Sequence, residues 1–470
     1  MTVLDRCRLP ALLLPLLLAS AAPGVQAQST LTLYGLADGG LTYTTGQDAA
    51  KLRLASGIME GSRWGLRGSE DLGGGWKALF VLESRFELDT GDVANRPPSG
   101  GRLPDRFSEP DTLGAPPFTQ SVFNSVLNSV GLPIGSLLPL GPLFNLAPQV
   151  SDPLGLRRQV ADAVVEEAGR RIGVNHLERN LFDRQAYIAL VTPVGGFVLG
   201  RQYSPAYEVF YQFDTMKTES GLSAGQIAAI PQGIEIRTPN AFQYRIVLKG
   251  YTASLMYGTR EGGSTVPSIV PAGRFVGGNA YYKDPDGRYS YGAAYATRKN
   301  SRGKKGLTNW LAGASLRLGP GTLHGLFTSI RDDNPQSGVD VREGLEANQA
   351  LANPLLAGFR EAYAQAYNEA FRQDARLFHL GYSLPLGRHT VSVVYNLLDD
   401  RRALESDLRS YGFAYTYAFS KRTDFNAVLV HFDNRGLAQL APGGNGYLGG
   451  VTRAAGVDAT QLALGMRHRF

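Results

Sequence analysis

The ten residues from Gln461 to Phe470 alternate without a break: Leu462, Leu464, Met466, His468 and Phe470 share one side, and Gln461, Ala463, Gly465, Arg467 and Arg469 the other. Successive side chains of an extended chain point to opposite faces, so this segment has one apolar and one wet side. About ten residues is also the length that crosses a bilayer as a tilted strand. The segment reads as the closing strand of a membrane-spanning β-barrel.

The N-terminal end predicts the same route. Arg6 and Arg8 precede an apolar run from Leu9 to Ala22, and Val25-Gln26-Ala27 forms a small-residue cleavage site. This is the pattern of a secretory signal peptide over residues 1–27, with the exported part starting near Gln28. Pro10 and Pro15 interrupt the run and argue against a spanning helix. Cys7, the chain's 1 cysteine, would leave with the signal, so neither disulfides nor a lipid anchor on Cys belong to the exported part.

No later stretch reaches the ~18 uninterrupted apolar residues of a transmembrane helix. Yet the chain holds 57 Gly, 22 Tyr and 21 Phe with 19% charged residues, a composition suited to many half-apolar strands. The net charge of +6 does not indicate nucleic acid in an exported chain.

Period-two segments recur in a plan of strand, tight turn, strand, long loop. Tyr411, Phe413, Tyr415, Tyr417 and Phe419 alternate with Gly412, Ala414, Thr416 and Ala418, which puts aromatics toward lipid and small residues toward an open interior. Glu70 to Gly75, Thr192 to Gly195, Asp284 to Gly287, Gly319 to Gly321, Pro385 to Gly387 and Ser420 to Arg422 supply the Gly, Pro or Asp of tight reversals. Counting between these marks gives about sixteen strands, among them Lys51 to Arg67, Leu181 to Val191 and Asn240 to Leu248. The even number suits a closed antiparallel barrel wide enough for an aqueous channel.

Four motifs taken in order resemble the general diffusion porins of Gram-negative bacteria, most closely those of beta-proteobacteria. They are Leu33-Tyr34-Gly35-Leu36-Ala37-Asp38, the run from Gly61 to Gly75, Arg184-Gln185-Ala186-Tyr187 and Leu199-Gly200-Arg201-Gln202-Tyr203. The resemblance runs from Leu31 to Phe470 outside two long inserts. It implies a homotrimer of sixteen-stranded barrels in the outer membrane, each with its own pore and a third external loop folded inward as a constriction. It also implies contact with lipid and lipopolysaccharide, small hydrophilic solutes and ions as cargo, and Phe470 as the signal read by the barrel-assembly machinery.

Strand parity and the resemblance together nominate the constriction. Trp64 and Leu66 on the lipid side send Arg63, Gly65 and Arg67 inward. In Asp183 to Val191, Tyr187 and Ala189 are expected to face out, with Arg184, Ala186 and Ile188 inward. Arg237 opens a stretch similar to the family's entry into its sixth strand. Arg63, Arg184 and Arg237 are thus the expected basic wall, charged at any working pH. The expected facing acids are Asp214 and Glu219 in the loop from Ser204 to Gly233. Leu36 stands where many porins carry a further cation, which thins the wall.

The inserts, Asn95 to Glu178 and Asp332 to Ala375, depart from the family. The first is proline-rich, then apolar through Val126 to Leu146, with a helix predicted from Pro153 to Arg171 capped by Asp152. It lies where the family's subunit-bridging loop stands, and is expected to cover the barrel rim, a neighbouring subunit or lipopolysaccharide. In the second, Phe359, Tyr363, Tyr367 and Phe371 recur every four residues and mark one helix face, expected to pack on other loops.

Chemistry is weakly represented. His176, His324, His379, His389, His431 and His468 show no metal-ligand spacing, and no nucleophile stands in a catalytic context. The expectation is a passive water-filled channel without enzymatic activity, cofactor, metal or nucleic-acid partner. A ligand-specific channel or adhesin using the inserts is the alternative, and a barrel-borne hydrolase a remote one.

Overall fold

A computed structural model describes residues 29–48, 50–93, 104–108, 181–217, 220–227, 235–259, 273–347, 357–403, 405–445 and 448–470. The predicted signal peptide, the apolar centre of the first insert, its predicted helix and Glu219 lie outside them.

Next-neighbour antiparallel pairing closes one sheet on itself. The chain begins with β1 (Ser29–Thr44), β2 (Leu52–Ser56), β3 (Arg63–Gly73), β4 (Trp76–Arg85), β5 (Gln185–Thr192) and β6 (Gly195–Tyr203). It continues through β7 (Arg237–Leu248), β8 (Tyr251–Gly258), β9 (Phe275–Lys283), β10 (Tyr289–Lys299), β11 (Lys305–Leu318) and β12 (Gly321–Asp332). After β13 (Gln373–Leu386), β14 (His389–Asp400), β15 (Leu408–Ala418) and β16 (Thr423–Asn434) comes a separate hairpin, β17 (Leu440–Asn445) and β18 (Leu448–Val451). The last strand, β19 (Ala459–Arg469), pairs with both β16 and β1.

Because β2 and β3 pair with successive parts of β1, they form one interrupted crossing. The barrel therefore has sixteen crossings, the number expected from the turn signals. At the seam the Gly35 and Phe470 backbones exchange both hydrogen bonds, at 3.1 and 3.0 Å. Leu462, Leu464 and Met466 are exposed on the outer face, while Gln461, Ala463 and Arg467 are buried on the inner one.

Short turns gather at one end of the barrel. Between β3 and β4, Gly73, Gly74 and Gly75 all hold positive φ, at 81°, 60° and 82°, a left-handed run that side chains with a Cβ resist. Tyr251, Tyr282, Tyr289 and Tyr291 pack ring against ring near this end, as an interfacial girdle.

The expected unbroken strand from Lys51 to Arg67 is interrupted at 57–62. The Asp38 carboxylate accepts three backbone N–H groups there, from Ile58 at 3.0 Å, Met59 at 2.9 Å and Glu60 at 2.8 Å. These bonds replace the missing ladder bonds, so the chain tucks inward without orphaned amides.

The third long connection folds into the barrel. Its helix, Pro205–Phe213, starts where the Ser204 side chain accepts the Tyr207 N–H at 3.1 Å and proline occupies the first turn. Val209, Phe210 and Phe213 are buried against the inner faces of the strands. Phe213 approaches Gly313 so closely that a Cβ there would run into its ring.

In the second insert two helices, Gln336–Ala347 and Ala357–Phe371, stand over the long-loop end. Tyr363, Tyr367 and Phe371 are buried, so this face packs on other loops as expected. Part of its partner comes from the first insert, in the helical turn Asp105–Ser108. Phe107 stacks on Phe371 with centroids 4.2 Å apart, and Tyr367 Oη donates to the Phe107 carbonyl at 2.7 Å. Asp105 N–H donates to Gln439 Oε1 at 2.6 Å, and its carboxylate accepts Ala455 N–H at 2.9 Å. The described part of the first insert is thus latched to the chain's own loops.

Candidate functional site

Inside the barrel the inward tuck, the third loop and the start of β7 come together. Arg63, the first residue of β3, bonds Glu60 Oε1 at 2.7 Å and stands 3.7 Å from Glu83 Oε2. Glu83, on β4, accepts Arg184 Nε at 2.7 Å and Tyr34 Oη at 3.1 Å. Tyr203 Oη lies 3.4 Å from nitrogens of both Arg184 and Arg237, and the Arg237 guanidinium sits 4.9 Å from the Tyr203 ring centroid. The three arginines nominated from sequence therefore converge on one acid and one phenol.

The route to Arg184 differs from the one parity indicates. In the β4–β5 ladder Val81 pairs with Tyr187 and Leu79 with Ala189, so these face inward with Glu83, while Ile188 is 61% exposed on the outer face. The expected orientation of Tyr187, Ala189, Ala186 and Ile188 is reversed. Arg184 lies just before the ladder, where its side chain is free of strand parity and folds back onto Glu83. Sequence alternation in Asp183 to Val191 is too apolar on both faces to decide this; the register with β4 decides it.

Two further cations join from the closing strand. Arg467 bonds Glu60 Oε2 at 2.8 Å and Asp424 at 3.2 Å, and Arg469 reaches the same two carboxylates at 3.2 and 2.8 Å. Their inward parity was visible in the sequence, but not their meeting with Glu60, which depends on the barrel's closure. Among the described residues, five arginines (Arg63, Arg184, Arg237, Arg467 and Arg469) thus gather about Glu60, Glu83 and Asp424, and Arg67 lies over the Tyr34 ring at 5.2 Å.

Of the two acids expected across the pore, Asp214 does not face it. Asp214 is 0% exposed; its carboxylate accepts Met216 N–H at 3.1 Å and Ser223 Oγ–H at 2.5 Å. It ends the Pro205–Phe213 helix and knits the loop, so it presents no carboxylate to solvent. Glu219 lies outside the described residues. Among the described residues the acids beside the arginines are Glu60, Glu83 and Asp424.

The described parts of the loop are tied down. Glu208 pairs with Arg245 and accepts Asn279 Nδ2 at 2.9 Å; burial pushes its carboxyl above the usual range while Arg245 pulls it back. His379 Nε2 accepts the Thr215 N–H at 2.9 Å, which leaves the ring proton on Nδ1, 2.7 Å from Asn396 Oδ1. In that neutral tautomer its 3.8 Å approach to Asp214 is not an ion pair. Ser220 N–H reaches the Met59 carbonyl at 3.0 Å, and Glu235 closes the loop in a buried pair with Arg298. Beside the loop a cavity of about 540 Å³, lined by Tyr187, Tyr203, Gln243 and Arg245, opens toward the Thr192–Gly195 turn.

A family profile described as Gram-negative porin matches residues 14–437. Outer membrane porin protein 32 of Delftia acidovorans is 23% identical over 471 residues, 97% of this chain and 99% of that protein. An outer membrane porin protein of Bordetella pertussis is 35% identical over 153 residues, which span 29% of this chain and only 38% of that relative's length. Among solved structures, the anion-selective porin from Comamonas acidovorans superposes with a TM-score of 0.60 at 22% identity, over 94% of this chain and 100% of that one. Such distant structural likeness speaks to the fold: a closed sixteen-stranded antiparallel barrel. The family profile carries the rest, and the chain belongs to the Gram-negative porin family, passive channels of the outer membrane.

Proposed function

We propose that the channel filters small hydrophilic solutes and ions at the arginine cluster and prefers anions. The observation that carries this reading is the convergence of Arg63, Arg184 and Arg237 on Glu83 and Tyr203, with Arg467 and Arg469 adjoining. Fixed charge in a confined passage with low-dielectric walls acts on a passing ion more strongly than on an open surface. That the porin from Comamonas acidovorans is anion-selective supports the same sign.

In this reading the chain is exported by cleavage near Ala27, assembles through its closing strand, and works as a homotrimer bedded in lipid and lipopolysaccharide. A Vibrio cholerae barrel of the same fold, described in its trimer form with a TM-score of 0.50, supports the oligomeric state. The channel has no chemistry of its own.

Planar-bilayer reversal potentials in a salt gradient test the filter. Replacing Arg63, Arg184 and Arg237 together by Gln should move selectivity toward cations. The shift should shrink as salt rises from ~0.01 M to ~1 M, because the screening length contracts from roughly 30 Å to 3 Å. An unchanged reversal potential in channels shown to be open would remove these arginines from the filter.

A further inference from the structure

Where the latch Asp105–Ser108 meets the loops after β12, β14 and β16, a guanidinium is buried without a hydrogen-bonding partner among the described residues. Arg106 is 6% exposed; its buried Nε meets no acceptor, and its contact among those residues is the face of the Phe107 ring, 4.6 Å away. A guanidinium carries five N–H donors, and a desolvated charge without hydrogen bonds is strongly unfavourable. Two carboxylates line the same space and both are engaged: Asp400 holds Arg402 through two bonds of 2.8 Å and accepts Ser406 N–H at 3.1 Å, and Asp374 pairs with Arg401 at 3.5 Å. Arg106, Arg401 and Arg402 set against Asp374 and Asp400 thus leave one positive charge unanswered among the described residues.

A second orphan stands in the same place. Ser406 Oγ is buried with no hydrogen-bond partner, and both Arg106 and Ser406 line one cavity with Arg402 and Gln439. Its free centre of about 30 Å³ holds one or two water-sized bodies and nothing as large as a sugar. Buried polar groups are almost always satisfied, so two unmet donors around one small space with excess positive charge call for an acceptor of matching size.

We propose that this cavity is a binding site for a small inorganic anion, of halide or nitrate size, held by Arg106 and Ser406. The bound anion answers the Arg106 charge only while the latch is seated, because Arg106 comes from the first insert and Ser406 from the loop after β14. Occupancy therefore favours the closed arrangement of the external loops. The site is independent of the arginine cluster in the barrel.

Hydrogen exchange on the full-length folded barrel in detergent tests this, with chloride against gluconate at constant ionic strength, gluconate being too large for the cavity. A ligand that binds only the seated latch lowers the open population by 1 + [L]/Kd, so exchange at residues 104–108 should slow roughly tenfold at a chloride concentration ten times its Kd. Ser406→Ala should weaken the chloride effect with the latch still seated, and Arg106→Gln should abolish it. Crystals grown in bromide should show anomalous scattering beside both side chains. Equal exchange in chloride and gluconate, a chloride effect that survives in both variants, or a cavity holding only water in the bromide crystals would each overturn the proposal.

Discussion

Glu83 stands between Arg63 and Arg184, at 3.7 and 2.7 Å, and its charge holds together guanidiniums that would otherwise repel. Neutralising it as Glu83→Gln removes the compensation and leaves the cations, so anion preference should rise, opposite in sign to the loss of the arginines. Reversal potentials at low salt give the comparison. Asp214→Asn should behave differently, since Asp214 is wholly buried and bonds its own loop. Leaving its partners unmet costs about 1–3 kcal/mol of loop stability. Noisier single-channel current, with a reversal potential moved less than by Glu83→Gln, is the expected record. Nothing in the sequence separates these acids: Asp214 and Glu83 differ in what the folded loop and strand place around them, and that is set by residues far along the chain.

At the scale of elements, strands were legible because each has a lipid face that must be apolar and an inner face that need not be. Long-range events were not. The break at 57–62 exists because Asp38, on the preceding strand, captures three amides, and no local pattern announces that. The Pro205–Phe213 helix was missed because its 9 residues give the pattern little more than two turns to repeat, although Glu208 and Gln212 share one side and Ala206, Val209, Phe210 and Phe213 the other. The helices of the second insert carry a pH-dependent clamp, Arg342 with Glu361. The hydrogen bond from Arg342 holds the Glu361 carboxyl below the usual range. A carboxylate lowered in the folded state stabilises above its unfolded pKa and loses that contribution as pH falls through the folded value. Glu361→Gln should therefore speed helix exchange at neutral pH, and its difference from wild type should vanish in acid below the usual glutamate range; as an exposed pair the effect is under ~1 kcal/mol. Phe107→Ala should do more, because losing a buried stacked ring costs about 3 kcal/mol or more. Faster protease cleavage of the external loops, with the heat-modifiable barrel intact, would mark release of the latch.

For the whole molecule, closure depends on a seam between chain ends. Phe470 exchanges two backbone hydrogen bonds with Gly35, and its ring packs where a Cβ on Gly35 would stand 2.5 Å away. Deleting Phe470 should lower the yield of folded, heat-modifiable barrel; an undiminished yield in a gel-shift assay would show that the seam closes without it. The same seam bears on the constriction. The third loop leaves β6 with its helix seated on the strands, and at its far side Ser220 is bonded to Met59 in the tuck that Asp38 holds beside the seam. Mechanically it is a beam fixed at both supports and not a cantilever. Such a span bends little under a transverse load, so the aperture should keep its width when the membrane voltage pulls on the charges around it.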